Sequence, residues 1–213
     1  MGARGRLIAL EGIDGCGKST QARAVAEELG ARLTHEPGGT PLGARLRRLL
    51  LAADDAPLTA RAEALLMAAD RAEHVALVIA PALAVGTWVV SDRFAGSTIA
   101  YQGYGRGLDP AALADVVVWA TDGLAADLSV LVDVPVEVAA ARLAAAGDGG
   151  GVDRLERLGP QFASRVRRGF LAQAAADPAR WIIVDGEAEI APLTAHIVAS
   201  VRERLGDTPA SAG

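Results

Sequence analysis

One lysine stands in a chain that otherwise takes all its basic charge from arginine. Lys18 is the single lysine among 21 lysine and arginine residues, and it lies in GIDGCGKS, residues 12–19, which fits G-x-x-x-x-G-K-[ST] at every fixed position. Its compact ammonium can lie between phosphate oxygens where a planar guanidinium cannot. Glycines let successive backbone N–H groups surround an anion. The residues predicted to bind ATP phosphates are therefore Gly12, Gly15, Cys16, Gly17, Lys18, Ser19 and Thr20.

The flanking segments favour this interpretation over a chance match in a glycine-rich turn. Residues 6–10 form a short apolar run that predicts a buried strand, and residues 19–29 predict a helix that ends at Gly30. A helix N-terminus adds partial positive charge beside a bound anion. Because Cys16 lies close to that terminus and to Lys18, its thiol is expected to have a lowered pKa, to alkylate quickly and to be protected by ATP.

The composition excludes several classes of protein. Hydrophobic residues make up 51% of the 213 residues, which is ample for a core, and the net charge of −5 without a basic stripe argues against a nucleic-acid binder. The longest apolar stretch, residues 75–90, is broken by Pro81 and Gly86 and is too short for a membrane span. With one cysteine and three scattered histidines, neither an intrachain disulfide nor a metal pattern is predicted. A cytoplasmic protein without nucleic-acid or membrane partners is expected.

Strand and helix patterns alternate along the chain, which is typical of an α/β protein. Strands are predicted at residues 6–10, 31–35, 87–91, 128–132 and 181–185. Helices are predicted at residues 19–29, 43–53, 59–80, 110–119, 154–176 and 190–205, with a further helix opening at Pro135. Continuous apolar strands indicate a five-stranded parallel sheet with helices on both faces. One domain over residues 1–206 and a disordered tail at 207–213 are expected.

A second group of chemical residues follows the third predicted strand. Asp92 and Arg93 come directly after residues 87–91, and a carboxylate there can hold Mg²⁺ through water together with the Ser19 hydroxyl. An arginine on a mobile segment can close over a phosphoryl group, which suits a small phosphotransferase that excludes water. A switch GTPase is excluded, because its Asn-Lys-x-Asp motif needs an asparagine and a second lysine that the chain lacks.

Seven short motifs occur together in a fixed order. They are EGIDGCGKS at 11–19, EPGGT at 36–40, LLMAADR at 65–71, DRF at 92–94, STIAYQGYGRG at 97–107, LVDVP at 131–135 and DRLE at 153–156. In this order and spacing the chain resembles bacterial thymidylate kinases over nearly its whole length. The resemblance implies a P-loop NTPase-type fold with a mobile lid at about 144–156. It also implies ATP- and Mg²⁺-dependent phosphorylation of dTMP to dTDP, and a homodimer.

The resemblance further implies roles for individual residues. Asp14 would accept a hydrogen bond from the sugar 3′-hydroxyl, and Arg93 would bridge the acceptor phosphate and the transferred group. Arg71 would donate to a thymine carbonyl, while Tyr101 would occupy the place of a 2′-hydroxyl. Thr98 and Gln102 would read the base edge. Glu36, Pro37 and Arg47 would lie near the acceptor phosphate, and Arg142 against the adenine of ATP.

Two departures from the family pattern affect these assignments. Met67 stands where an aromatic residue usually stacks on thymine, and a thioether gives looser geometry; the alternative is a core methionine. The lid segment 144–152 contains no arginine, so Arg154 is the candidate for charge on the transferred group, unless it only pairs with Asp153 or Glu156. Similarly, Arg47 could belong to a solvated helix face.

Two other functions remain open on the sequence alone. The scaffold could phosphorylate another nucleoside monophosphate or a small metabolite. It could also be a nucleotide-binding regulatory protein that has lost turnover. The presence of Lys18, Ser19, Asp92 and Arg93 argues for an active enzyme.

Overall fold

A parallel five-stranded sheet forms the centre of the molecule, as predicted. The structure, a computed structural model, describes residues 4–52, 57–146 and 154–207. The strand order is β2-β3-β1-β4-β5, and all four neighbouring pairs run parallel. The strands are β1 Leu7–Glu11, β2 Arg32–His35, β3 Val89–Asp92, β4 Leu128–Asp133 and β5 Trp181–Asp185. The five predicted strands and the α/β class are thereby confirmed.

Helices cover both faces of this sheet. They are α1 Lys18–Leu29, α2 Pro41–Leu51, α3 Ala60–His74, α4 Ala80–Ala84, α5 Ala95–Thr98, α6 Pro110–Ala120, α7 Val136–Ala146, α8 Gly159–Ala176 and α9 Ile190–Leu205. Ile8 and Leu10 of β1 contribute to one buried cluster and Leu7 and Ala9 to another, because successive side chains of a strand point to opposite faces. No described helix is long and apolar enough to cross a membrane.

Three helical segments differ from the prediction. The helix predicted at 59–80 continues to Ala84 through a π-helical segment, Val75–Ile79, and Pro81 follows that segment as the second residue of α4. The helix predicted from residue 154 begins at Gly159, after a 3₁₀ turn. A further π-helical segment, Ile99–Gly105, follows α5 and was not predicted, because the extra residue of a π turn breaks the 3.6-residue period.

The register of the sheet brings the predicted site residues to one edge. Leu10 of β1 lies beside Asp92 of β3, so the glycine loop after β1 and the Asp92–Arg93 pair after β3 emerge together. β1 is also paired with β4 on its other side. The strand order thus runs from β1 to β3 and β2 on one side and to β4 and β5 on the other. α/β proteins bind ligands at the carboxyl ends of the strands where the order reverses in this way.

Candidate active site

The glycine loop between β1 and α1 has the backbone that an anion-binding loop requires. Gly12, Gly15 and Gly17 have φ values of 145°, 82° and 95°, which residues with a Cβ rarely adopt. Lys18 is the first residue of α1, and its side chain is 6% exposed. Its Nζ donates to the Ile13 carbonyl at 3.4 Å and to Asp14 Oδ1 at 3.3 Å. The lysine therefore folds back over its own loop.

Cys16 is placed differently from the prediction. Its side chain is fully buried, and a Cβ built on Gly12 would lie 2.7 Å from its Sγ. Burial raises the pKa of the Cys16 thiol, and the opposing charge of Lys18 does not reverse that shift. The expectation of a lowered pKa was wrong because the thiol points into the core.

Ser19 and Asp92 meet at the end of β3, as the sequence predicted. The Ser19 hydroxyl donates to Asp92 Oδ2 at 2.5 Å. The other carboxylate oxygen, Oδ1, is buried and has no hydrogen-bond partner in the described structure. A carboxylate and a hydroxyl are hard oxygen ligands of the kind that Mg²⁺ takes beside nucleotide phosphates. The donor set and the unpartnered oxygen therefore fit Mg²⁺.

Asp14, Arg93 and Tyr101 form a connected group beside the loop. Arg93 Nη2 donates to Asp14 Oδ1 at 2.5 Å and to the Tyr101 hydroxyl at 2.9 Å, and that hydroxyl donates to Asp14 Oδ2 at 2.7 Å. Burial alone would raise the pKa of Asp14, but the charges of Arg93 and Lys18 hold it well below its usual range. Arg93 Nη1 also donates to the Gly12 carbonyl at 2.8 Å, so the arginine is oriented towards the loop.

Arg71 lies at the centre of a second, buried network. Its guanidinium donates to Glu36 Oε2 at 2.8 Å, to Thr98 Oγ1 at 2.7 Å and to the Phe94 carbonyl at 2.9 Å. His74 Nδ1 lies 2.8 Å from the other oxygen of Glu36. Glu36 precedes Pro37 through a cis peptide bond. These contacts fix the plane of the Arg71 guanidinium.

A single pocket brings together every residue predicted to bind dTMP. Its lining includes Asp14, Glu36, Pro37, Arg47, Met67, Arg71, Arg93, Thr98, Tyr101 and Gln102, together with Leu51, Asp70, Ser97 and Leu155. Arg47 donates to the Pro37 carbonyl at 2.9 Å. Met67 lines the pocket and also packs against the core, so it combines the two alternatives considered for it.

Arg142 lies on a separate pocket at the other side of the loop. Its Nη1 donates to the Gly186 carbonyl at 2.9 Å and approaches the Cys16 carbonyl at 3.3 Å. This pocket is also lined by Gly17 and Thr20 of the glycine loop. The structure thus joins Arg142 to the residues predicted to bind ATP.

Arg154 contacts a residue that the sequence did not single out. Its Nη2 lies 3.3 Å from Glu63 Oε2, and its backbone N–H donates to the Leu51 carbonyl. Glu63 is fully buried on α3 and also accepts from Arg106 and Gln102. Residues 147–153 of the predicted lid, which include Asp153, lie outside the described residues, as does the tail from residue 208.

Glu11 and Asp70 are further acidic residues without a predicted role. Burial raises the pKa of Glu11 to about 7, although its carboxylate accepts from Ser97 Oγ at 2.6 Å and from the Phe94 N–H at 3.0 Å. Burial also raises the pKa of Asp70, which accepts from the Gly38 N–H at 2.9 Å. Glu11 stands in the motif EGIDGCGKS and Asp70 in LLMAADR, and this position is the feature of the sequence that could have drawn attention to them.

Comparisons with known proteins agree on one family. The family model described as "Thymidylate kinase" matches residues 10–197. A thymidylate kinase of Desulforudis audaxviator is 46% identical, over 98% of this chain and 96% of the relative, and one of Cupriavidus metallidurans is 49% identical, over 88% and 92%. The crystal structure of thymidylate kinase from Ehrlichia chaffeensis superposes with a TM-score of 0.75 at 30% identity, covering 93% of this chain and 99% of that one.

Proposed function

Because the chain belongs to the thymidylate kinase family and phosphorylates dTMP, we propose that the pocket lined by Arg71 and Arg93 binds dTMP. We also propose that the glycine loop binds the phosphates of ATP. The observation that carries the placement is the pocket itself, which joins the ten predicted residues from segments that lie far apart along the chain. Its lining contains two separate polar groups, because Arg71 donates to Thr98 and Arg93 donates to Asp14.

Within this pocket each group has a chemical task. Arg71 donates to a thymine carbonyl and is kept in place by Glu36 and Thr98. Asp14, which stays ionised because of Arg93 and Lys18, accepts from the sugar 3′-hydroxyl. Tyr101 packs against Phe162 and Phe170 and fills the space that a 2′-hydroxyl would need.

Transfer of a phosphoryl group depends mainly on positioning and on stabilising charge. Lys18 and Arg93 both contact Oδ1 of Asp14, so their charges converge beside the loop. Arg93 orients the acceptor phosphate towards the loop, and a lid at about 144–156 excludes water. Arg154 can take part only after leaving Glu63, with which it is paired.

Ser19 and Asp92 would hold Mg²⁺ with ATP. The unpartnered Oδ1 of Asp92 is the observation that supports this assignment. When bound, the ion would neutralise charge on the ATP phosphates. Ser19 and Asp92 themselves set its position, because they are fixed by α1 and β3.

A coupled assay of ADP release tests the placement of dTMP. With a panel of nucleoside monophosphates, we expect dTMP to be the preferred acceptor, and Arg71→Met to raise its KM with a smaller change in kcat, because Arg71 binds the base and not the reacting group. Arg165→Met, a partly buried arginine on α8 that donates to the Gly105 carbonyl, is the control. An unchanged KM in Arg71→Met would place the base elsewhere.

We further propose that the chain forms a homodimer through α3 and α6. These helices pack together and expose large apolar side chains, among them Leu65 at 61%, Val118 at 58% and Trp119 at 84%. A second copy would cover these side chains by presenting the same face. Since α3 also carries Met67 and Arg71, the interface would support the base-binding end of the pocket.

A further inference from the structure

Buried Glu63 lies beside the base-reading end of the dTMP pocket without lining it. We propose that Glu63 is a positioning residue that fixes the orientation of the Gln102 amide and so sets the preference for thymine over cytosine. The inference rests on the proposed placement of the base against Gln102.

The contact between the two residues settles which end of the amide faces the pocket. Gln102, in the π-helical segment Ile99–Gly105, is 1% exposed, and its Nε2 donates to Glu63 Oε1 at 3.0 Å. A carboxylate only accepts hydrogen bonds, so the amide nitrogen must face Glu63. The amide oxygen of Gln102 is then the atom that can face a bound base.

Two arginines also donate to the Glu63 carboxylate. Arg106 Nε and Nη2 donate to Oε1 at 3.2 Å and to Oε2 at 2.7 Å, and Arg154 Nη2 lies 3.3 Å from Oε2. Guanidinium groups donate only. If residue 63 were a glutamine, its amide oxygen would stay beside the two Nη2 groups, because the reverse placement would set its NH₂ against both of them, whereas this one sets it only against Arg106 Nε. Its NH₂ would then also face Gln102. Gln102 would then turn and present its own NH₂ to the pocket.

The two pyrimidines differ at the atom that this amide would meet. Thymine carries an N3–H donor beside its 4-carbonyl, whereas cytosine carries an N3 acceptor beside its 4-amino group. An amide oxygen can accept from N3–H of thymine, but it would face the lone pair on N3 of cytosine. When a buried polar group of a site bonds to the substrate, an analogue that leaves this group unpaired is rejected by a large factor.

Steady-state kinetics with dTMP and dCMP test this role. For Glu63→Gln we expect the ratio of kcat/KM for dTMP over dCMP to fall about 10-fold or more, mainly through a higher KM for dTMP. Arg106→Met is the matched control, since it removes two donors from the same carboxylate and leaves the Glu63–Gln102 bond; its ratio should match wild type.

Gln102→Leu separates the two ways in which the idea could fail. This variant should raise the KM for dTMP, and adding Glu63→Gln to it should change the ratio no further, because the carboxylate acts through the amide. If Gln102→Leu raises the KM but Glu63→Gln leaves the ratio unchanged, Glu63 has no positioning role. An unaltered KM in Gln102→Leu would instead overturn the placement of the base.

Nuclear magnetic resonance provides a test on the wild-type protein. The chain contains four glutamines, at 21, 102, 161 and 173, and no asparagine, so only four side-chain amide groups give signals. In the ¹⁵N-labelled protein with bound dTMP, we expect the Gln102 NH₂ protons to show a stronger nuclear Overhauser effect to Arg106 Hε than to the thymine imino proton. The opposite order of intensities would overturn the proposal.

Discussion

At the scale of the residue, Lys18 is a charge oriented before any ligand arrives. Its ammonium is held by the Ile13 carbonyl and Asp14, within 3.4 Å of each. Removal of one preorganised charge donor costs about 10²–10³ in turnover. We therefore expect Lys18→Ala to lower kcat by at least this factor in the coupled assay, with an unchanged circular dichroism spectrum. Lys18→Arg should not restore activity, since the guanidinium is planar. Wild-type turnover in either variant would remove Lys18 from the chemistry.

Cys16 gives a second prediction at this scale. Because its thiol is buried and burial raises its pKa, we expect iodoacetamide to label the native protein much more slowly than the urea-unfolded chain. ATP should change the native rate little, since the thiol lies in the buried core and not at the surface of the loop. The sole cysteine makes mass spectrometry of the intact protein a direct measurement. Fast labelling that ATP suppresses would mean that the thiol faces the nucleotide.

At the scale of the element, Glu11 joins the end of β1 to the start of α5. Its carboxylate accepts from the Phe94 and Ser97 N–H groups and from Ser97 Oγ. The pKa of Glu11 is raised from 4.5 to about 7 by burial, so the folded protein keeps a proton that the unfolded chain has lost between these pH values. The stability contributed by Glu11 is thus present below about pH 4.5 and is lost as the pH rises towards 7.

Urea unfolding of wild type and Glu11→Gln between pH 5 and 8 measures this effect. A glutamine imitates the protonated acid, so we expect the free energy of unfolding of wild type, relative to the variant, to fall by up to about 1.4 kcal/mol per pH unit between 5 and 7. The difference should level off above pH 7. A difference that is independent of pH would show that Glu11 is ionised throughout.

Two glycines of the loop allow a matched test of how closely α7 packs against it. Gly15 and Gly17 both have positive φ, but a Cβ on Gly15 would lie 2.3 Å from the Ala139 carbonyl of α7, whereas on Gly17 the nearest atom is 3.9 Å away. Both alanine variants carry backbone strain of about 1–2 kcal/mol. We expect Gly15→Ala to lower the melting temperature clearly more than Gly17→Ala, because α7 must also move. Equal losses would mean that α7 does not press on the loop.

At the scale of the whole molecule, the exposed apolar face of α3 and α6 predicts self-association. Trp119→Glu places a charge on this exposed apolar face, and we expect sedimentation velocity to show a dimer for wild type and a monomer for this variant. Ile183→Glu on β5, a half-exposed apolar position away from that face, is the control and should remain dimeric. A monomeric wild type at micromolar concentration would contradict the proposed dimer.

The sequence alone determined the sheet and the glycine loop, and its resemblance to a family named ten of the residues that line the pocket. Buried strands are short continuous apolar runs, and phosphate-binding loops depend on residue types at fixed spacing, so both signals are local. Arg93 could be singled out because it directly follows a buried strand, whereas the role of Arg71 came only from the resemblance of its motif to those of a known family. Nothing local, however, marked the π-helical segment that carries Gln102.

Only the tertiary structure decided which side chains meet, and in which direction each points. Cys16 turns into the core although its neighbours along the chain are the glycines and lysine of an anion site. Glu63 meets Gln102 and Arg154, which follow it by 39 and 91 residues. Such contacts depend on how α3, the π-helical segment and the chain before α8 pack around a common point. No spacing within one element encodes that geometry, because it is set by the burial of all of them together.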